Sequence, residues 1–191
     1  MNSEQLRFFK TFGYILLPQH LNADALAQLA RDHEDALTAQ YPAERNDGSE
    51  RLWTRMTDES TPFAAALMED PRFLGPAQQI CGDDVLGIGV DINRYVSTTT
   101  WHASHGGSDN RRAWNLDYFA NPQSPEEIES IRALGLGHAG SIKDFKTRRQ
   151  YNYSRNWLDN PQQSPIRQRW IDRFEKIDYL DQPGVGEPAR A

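Results

Sequence analysis

Two histidines and an aspartate fall within eight residues of chain, at His102, His105 and Asp109, and Arg111 and Arg112 follow closely. Two imidazoles and one carboxylate are the donor set that holds non-haem iron(II) while leaving positions open for a cosubstrate and O₂. A guanidinium just beyond them can pair with the carboxylate of an anionic cosubstrate such as 2-oxoglutarate. The usual local form of such a site is His-x-Asp at the end of a strand, because alternate residues of extended chain point to one side. The triplet in that place here is His102-Ala103-Ser104, and a hydroxyl is a poor substitute for a carboxylate on iron. On spacing alone, the cluster is either a metal site or a polar turn beside Gly106 and Gly107.

Two stretches of period-two alternation flank the cluster. Before it, Leu86, Ile88, Val90, Ile92 and Val96 share one face, with Gly87, Gly89, Asp91, Asn93 and Tyr95 opposite. After it, Arg112, Trp114, Leu116 and Tyr118 alternate with Arg111, Ala113, Asn115 and Asp117. Both read as strands with one apolar and one small or polar side. The polar side of the second suits a lined cavity and a solvent-facing edge equally.

The remaining elements are mainly helical. Leu6, Phe8, Phe9 and Phe12 make one apolar face over residues 3–12, and Gly13 stops that helix. Tyr14–Leu17, closed by Pro18, reads as an edge strand. Asn22 caps a helix whose stripe is Leu26, Leu29, Ala30, His33 and Leu37. His33 is expected to be packed or half-exposed on that stripe, and His20 to sit in a turn. Residues 41–61 read as a loop in which Trp53 and Met56 cover a pocket or anchor the chain. Two short helices meet at Pro71, and Gly82 ends the second. Ser124-Pro-Glu-Glu127 is a helix start, and Gly135 to Gly140 break that helix near Leu134, leaving His138 in a loop. Residues 141–163 are basic and aromatic and read as a solvated loop. Ser164-Pro165 opens a last helix striped by Ile166, Trp170, Phe174 and Ile177.

At 191 residues the chain suits one domain with a single core. Its net charge of −6 argues against nucleic acid or an anionic membrane as partner, since either would need a basic face. Lone Cys81 allows no internal disulfide, fits a reducing compartment, and sits on an apolar helical face where packing is its simplest role. No apolar run reaches the ~18 residues of a membrane span and no signal-peptide pattern opens the chain, so the expected location is cytoplasmic.

Three stretches carry a resemblance. The opening Gln5-Leu-Arg-Phe-Phe-Lys-Thr-Phe-Gly-Tyr-Ile-Leu-Leu17 with the Leu21–Leu37 helix is one. The approach from Asp70-Pro-Arg-Phe through Gly82-Asp-Asp-Val85 to Thr100-Trp101-His102 is another, and His102 through Pro122 is the third. Over most of its length the chain thereby resembles the phytanoyl-CoA dioxygenase family of Fe(II)/2-oxoglutarate oxygenases. His102 matches the family's first iron histidine from its N-terminal side and its second from its C-terminal side. The block between those histidines, with the ligand aspartate and several strands, is missing here.

The resemblance implies an α+β fold with an incomplete double-stranded β-helix (jelly-roll, cupin-like) core and N- and C-terminal helices packed on it. Residues 1–181 would form that one domain, shortened near 102–103, and residues 182–191 a flexible tail. It implies Fe(II) and 2-oxoglutarate as cofactors and the hydroxylation of a small organic substrate with O₂. His102 would be an iron ligand and Arg111 the partner of 2-oxoglutarate, with Arg112 in reserve and Trp101 and Asn93 beside the cavity. His105 and Asp109 match no family ligand and would complete the metal set only as substitutes. Two further readings stay open: an inactive relative serving as a binding or scaffold module, and a metal-independent binder using Arg111 and Arg112.

Overall fold

The computed structural model describes residues 1–41, 52–95, 111–144, 151–161 and 164–189; at 93–95, 111–113 and 137–144 it describes the backbone alone. Helix α1 (Ser3–Phe12) starts in a reciprocal capping box between Asn2 and Gln5 and ends at Gly13, whose φ of 78° only glycine adopts without strain. It buries none of its residues. Tyr14–Leu17 is not a strand: it has no sheet partner among the described residues, Leu16 stays 80% exposed, and the Tyr14 ring meets Phe8 edge-on. Without a neighbour to complete its ladder, a four-residue apolar run ending at proline gains nothing by extending.

Asn22 caps helix α2 (Ala23–Gln40) by accepting from the Ala25 N–H. The buried stripe of α2 is Ala25, Leu29, Asp32, His33 and Leu37; Leu26, expected on it, lies 44% exposed. Strand β1 (Leu52–Arg55) lies inside the stretch expected to be loop, and all four of its residues are buried. Met56 directly after it is a core residue. Helices α3 (Pro62–Leu67) and α4 (Pro71–Cys81) meet at Asp70, which caps α4 by accepting from the Arg72 N–H, and Pro71 takes the first helical position. Cys81 packs against the core at the end of α4.

Strands β2 (Val85–Tyr95) and β3 (Arg111–Ala120) form the antiparallel pair that the alternation predicts, in register from Val85↔Ala120 to Tyr95↔Arg111. β1 joins the other side of β2, giving the order β1-β2-β3. A register shift between Gly87 and Gly89 bulges β2. Helix α5 (Pro125–Asp144) has its capping box, with the Glu127 N–H donating to Ser124 and Glu127 accepting from the Ser124 N–H. It does not stop at Leu134 as expected. A Cβ at Gly135 would come within 2.7 Å of the Tyr179 ring, so this glycine allows a close approach rather than ending the helix. His138 therefore lies within α5.

After the short α6 (Arg155–Leu158), Ser164 caps α7 (Pro165–Lys176), whose Trp170, Ile171 and Phe174 are buried. Tyr153 and Trp157, expected on a solvated loop, are core residues. The stretch from Gln182 runs beside them: Tyr153 donates its N–H to Val185 and accepts from Glu187, and Val185 is buried. Among the described residues the fold is thus mixed helix and sheet around one small three-stranded antiparallel sheet. None of the described helices is long and apolar enough to cross a membrane.

Candidate functional site

The last β2–β3 pair, Tyr95↔Arg111, closes the connection in which the chemical cluster lies. His102, His105, Asp109 and Trp101 fall in residues 96–110, outside the described residues. Arg111 and Arg112 open β3 opposite Tyr95 and Arg94, and Asn93 pairs with Trp53 and Ala113. At these positions only the backbone is described. Along the strand, Arg111 shares the parity of Asn115 and Asp117, and Arg112 that of Trp114, Leu116 and Tyr118. No group of three His, Cys, Asp or Glu side chains that could hold a metal occurs among the described residues.

β2 has two differently covered faces. On the Trp114 side, the His33 ring stands edge-on to Trp114, and the Tyr118 hydroxyl donates to the Met68 carbonyl after α3. His33 is buried on α2, as its stripe predicts. The other face carries a polar row through all three strands, Arg55↔Asp91↔Asn115. Asn115 Nδ2 donates to Asp91 Oδ1 at 2.7 Å, while Arg55 Nη1 lies 3.8 Å from Asp91 Oδ2. Arg55 and Asp91 are both buried.

The C-terminal aromatics lie beside the Arg55 end of this row, while Asn115 at its other end is exposed. The Tyr153 hydroxyl reaches the Gly87 and Ile88 carbonyls at 3.0 and 2.6 Å, at the bulge, and Trp170 Nε1 donates to Val85 O. Burial pushes the Tyr179 phenol up to about 12; the Arg55 charge opposes this shift and Asp117 adds to it. Burial likewise holds Tyr153 well above the ordinary phenol range. Both stay protonated at neutral pH, and Tyr153 serves as a donor, not a base.

Sequence reasoning missed Arg55, which lies in a strand too short to show periodicity. The signal available was its neighbourhood: in Leu-Trp-Thr-Arg, two apolar residues lead into the arginine. His20, expected simply in a turn, is tied down by a 2.8 Å hydrogen bond between Nε2 and the Arg72 carbonyl and by the edge of Phe73. A cavity of about 450 Å³ opens between the end of β3 and α5, walled by Phe119, Pro122, Ile131 and Leu134 with Glu126 at its rim. It lies about 26 Å along β3 from Arg111, at ~3.3 Å per residue, too far to serve the β2–β3 connection.

No family model, curated protein or solved structure matches the chain.

Proposed function

We propose that the chain is a shortened Fe(II)/2-oxoglutarate oxygenase of the phytanoyl-CoA dioxygenase type, hydroxylating a small organic substrate in the cytoplasm. The observation that supports this is the Tyr95↔Arg111 pair closing the β2–β3 connection. The sequence of that connection carries two imidazoles and a carboxylate, and two arginines open the strand that follows it. The donor set fits ferrous iron: His102, His105 and Asp109 would hold the metal, and Arg111, with Arg112 behind it, would bind 2-oxoglutarate. Bound iron with 2-oxoglutarate and O₂ supplies the oxidising power for the hydroxylation. The chain's own share is positioning: Arg111 orients the anionic cosubstrate, and the paired strands fix where the connection begins and ends. In this reading the three-stranded sheet is what remains of a jelly roll.

A second reading, an inactive binding module, is favoured by the sheet itself. Three strands are described, whereas a double-stranded β-helix closes with about eight. One titration separates the two. Under anaerobic conditions, Fe(II) added with 2-oxoglutarate should give a visible charge-transfer band, absent with iron alone and lost in His102→Ala. If the native chain gives no band, the oxygenase reading fails and the binding module stands.

A further inference from the structure

Among the described residues two arginines are buried, and they are treated differently. Arg167 on α7 is paired on two sides, with Glu59 and, at 3.0 Å, with Glu69, and its guanidinium lies 4.8 Å over the Trp157 ring. That is the arrangement a structural guanidinium needs, because a buried charge costs more than its neighbours return unless its donors are met. Arg55 on β1 is equally hidden, its side chain 4% exposed, yet Nε and Nη1 have no hydrogen-bond partner among the described residues. Its nearest carboxylate, Asp91 Oδ2 at 3.8 Å, is beyond hydrogen-bond range, and the other Asp91 oxygen accepts from Asn115.

The guanidinium is nonetheless held in place. It lies 5.2 Å from the Trp53 ring, and Nη1 sits where a Cβ on Gly89 would come within 2.6 Å. Any other residue at 89 would displace it. The Tyr179 hydroxyl, also buried and without a hydrogen-bond partner among the described residues, feels the Arg55 charge. A fixed cation with open donors, beside a second open donor, is built to receive acceptor atoms.

We propose that Arg55 anchors a binding site for a small monocarboxylate on the Asp91–Asn115 face of the sheet, apart from the β2–β3 connection and independent of iron. Charge selects this class of ligand. Asp91, and Asp117 on the same face across from Gly89, already offset the guanidinium charge, so a dianion would be repelled more strongly than a single negative charge. Burial selects for size: between packed strands and aromatic rings, the ligand must be on the scale of acetate or pyruvate. β1 is an edge strand, so entry requires only local parting of the sheet's rim.

The test uses the full metal-free chain at constant ionic strength, titrated with acetate and with pyruvate. Thermal midpoint and tryptophan fluorescence are read, because Trp53 reports directly on the guanidinium beside it. Saturable stabilisation with a fluorescence change is expected, at least about tenfold weaker in Arg55→Gln and unchanged in Arg111→Gln. Asp91→Asn should tighten binding about three- to tenfold by removing the competing charge. Should Arg55→Gln not fold, the Asp91→Asn arm decides: unchanged or weaker binding overturns the proposal. So does a response that chloride reproduces in full, one lost in Arg111→Gln instead, or no saturable response at all.

Discussion

The two faces of β2 are buried by opposite means. On one, Val90 and Ile92 pair with Leu116 and Trp114, and ordinary apolar side chains fill the space toward α2, α3 and α4. On the other, Gly89, paired with Asp117, offers no side chain and Arg55 comes down onto the backbone, and at the bulge beside it Trp170 does the same at Gly87. The first face is buried by what the strand projects; the second is buried by what the strand lacks. A hydrophobic pattern reports the first kind of burial and is silent on the second. A strand face made of glycine and aspartate therefore looks solvent-facing in sequence although it is covered in the fold. Burial of this kind depends on large, well-placed covers, so it should be the more brittle of the two.

That brittleness can be measured. Trp170 is fully buried, its indole N–H donates to Val85 O, and its ring lies against Gly87. Trp170→Ala should cost about 3–5 kcal/mol in denaturant unfolding, the range for deleting a large buried aromatic. Gly87→Ala places a methyl 2.7 Å from that ring and should cost about 1–3 kcal/mol by overpacking. The two should couple: with the indole gone the added methyl has room, so Gly87→Ala should cost markedly less in the Trp170→Ala background. If the two losses simply add, Gly87 is not required for close approach and the contrast between the faces fails.

Much of the fold was legible because its signals are local. Asn22, Ser124, Ser164 and Gly82 mark helix ends through bonds made within a few residues, and β2 and β3 are long enough for period two to show. What sequence reasoning missed depends on distant partners. β1 has only four residues and exists because β2 offers it an edge. Gly135 resembles a helix breaker until Tyr179 is seen packed against it. Tyr14–Leu17 has a strand's composition but no partner for its ladder. At the candidate site, the residue types of His102, His105, Asp109 and Arg111 suggested a chemistry that spacing could not distinguish from a polar turn. Arg55 escaped notice because nothing in the sequence distinguishes a buried arginine from an exposed one.

The smallest expected effect sets the two sides of the sheet against each other by the sign of their response to acid. On the glycine-face side, Asp58 follows β1 and accepts from the Ser60 N–H at 2.8 Å and from Asn156 Nδ2 at 3.0 Å, tying the turn to α6. Burial alone would raise its pKa, but hydrogen bonds from Asn156, Ser60 and Ser154 outweigh burial and hold the carboxyl below the usual range. Stability from Asp58 is therefore complete above its unfolded pKa and lost as pH falls through the folded one. On the other side, burial of Asp32 on α2 raises its pKa despite the bond it accepts from the Ala64 N–H. The stability linked to Asp32 thus declines as pH rises through its folded pKa. Asp58→Asn should cost almost nothing near pH 2 and progressively more toward pH 5, levelling below about 1 kcal/mol because the carboxylate is partly exposed and screened. Urea unfolding across that range reads the difference directly. A cost that is flat with pH, or that grows toward acid, would show that the Asp58 charge does not clamp α6 to the turn after β1.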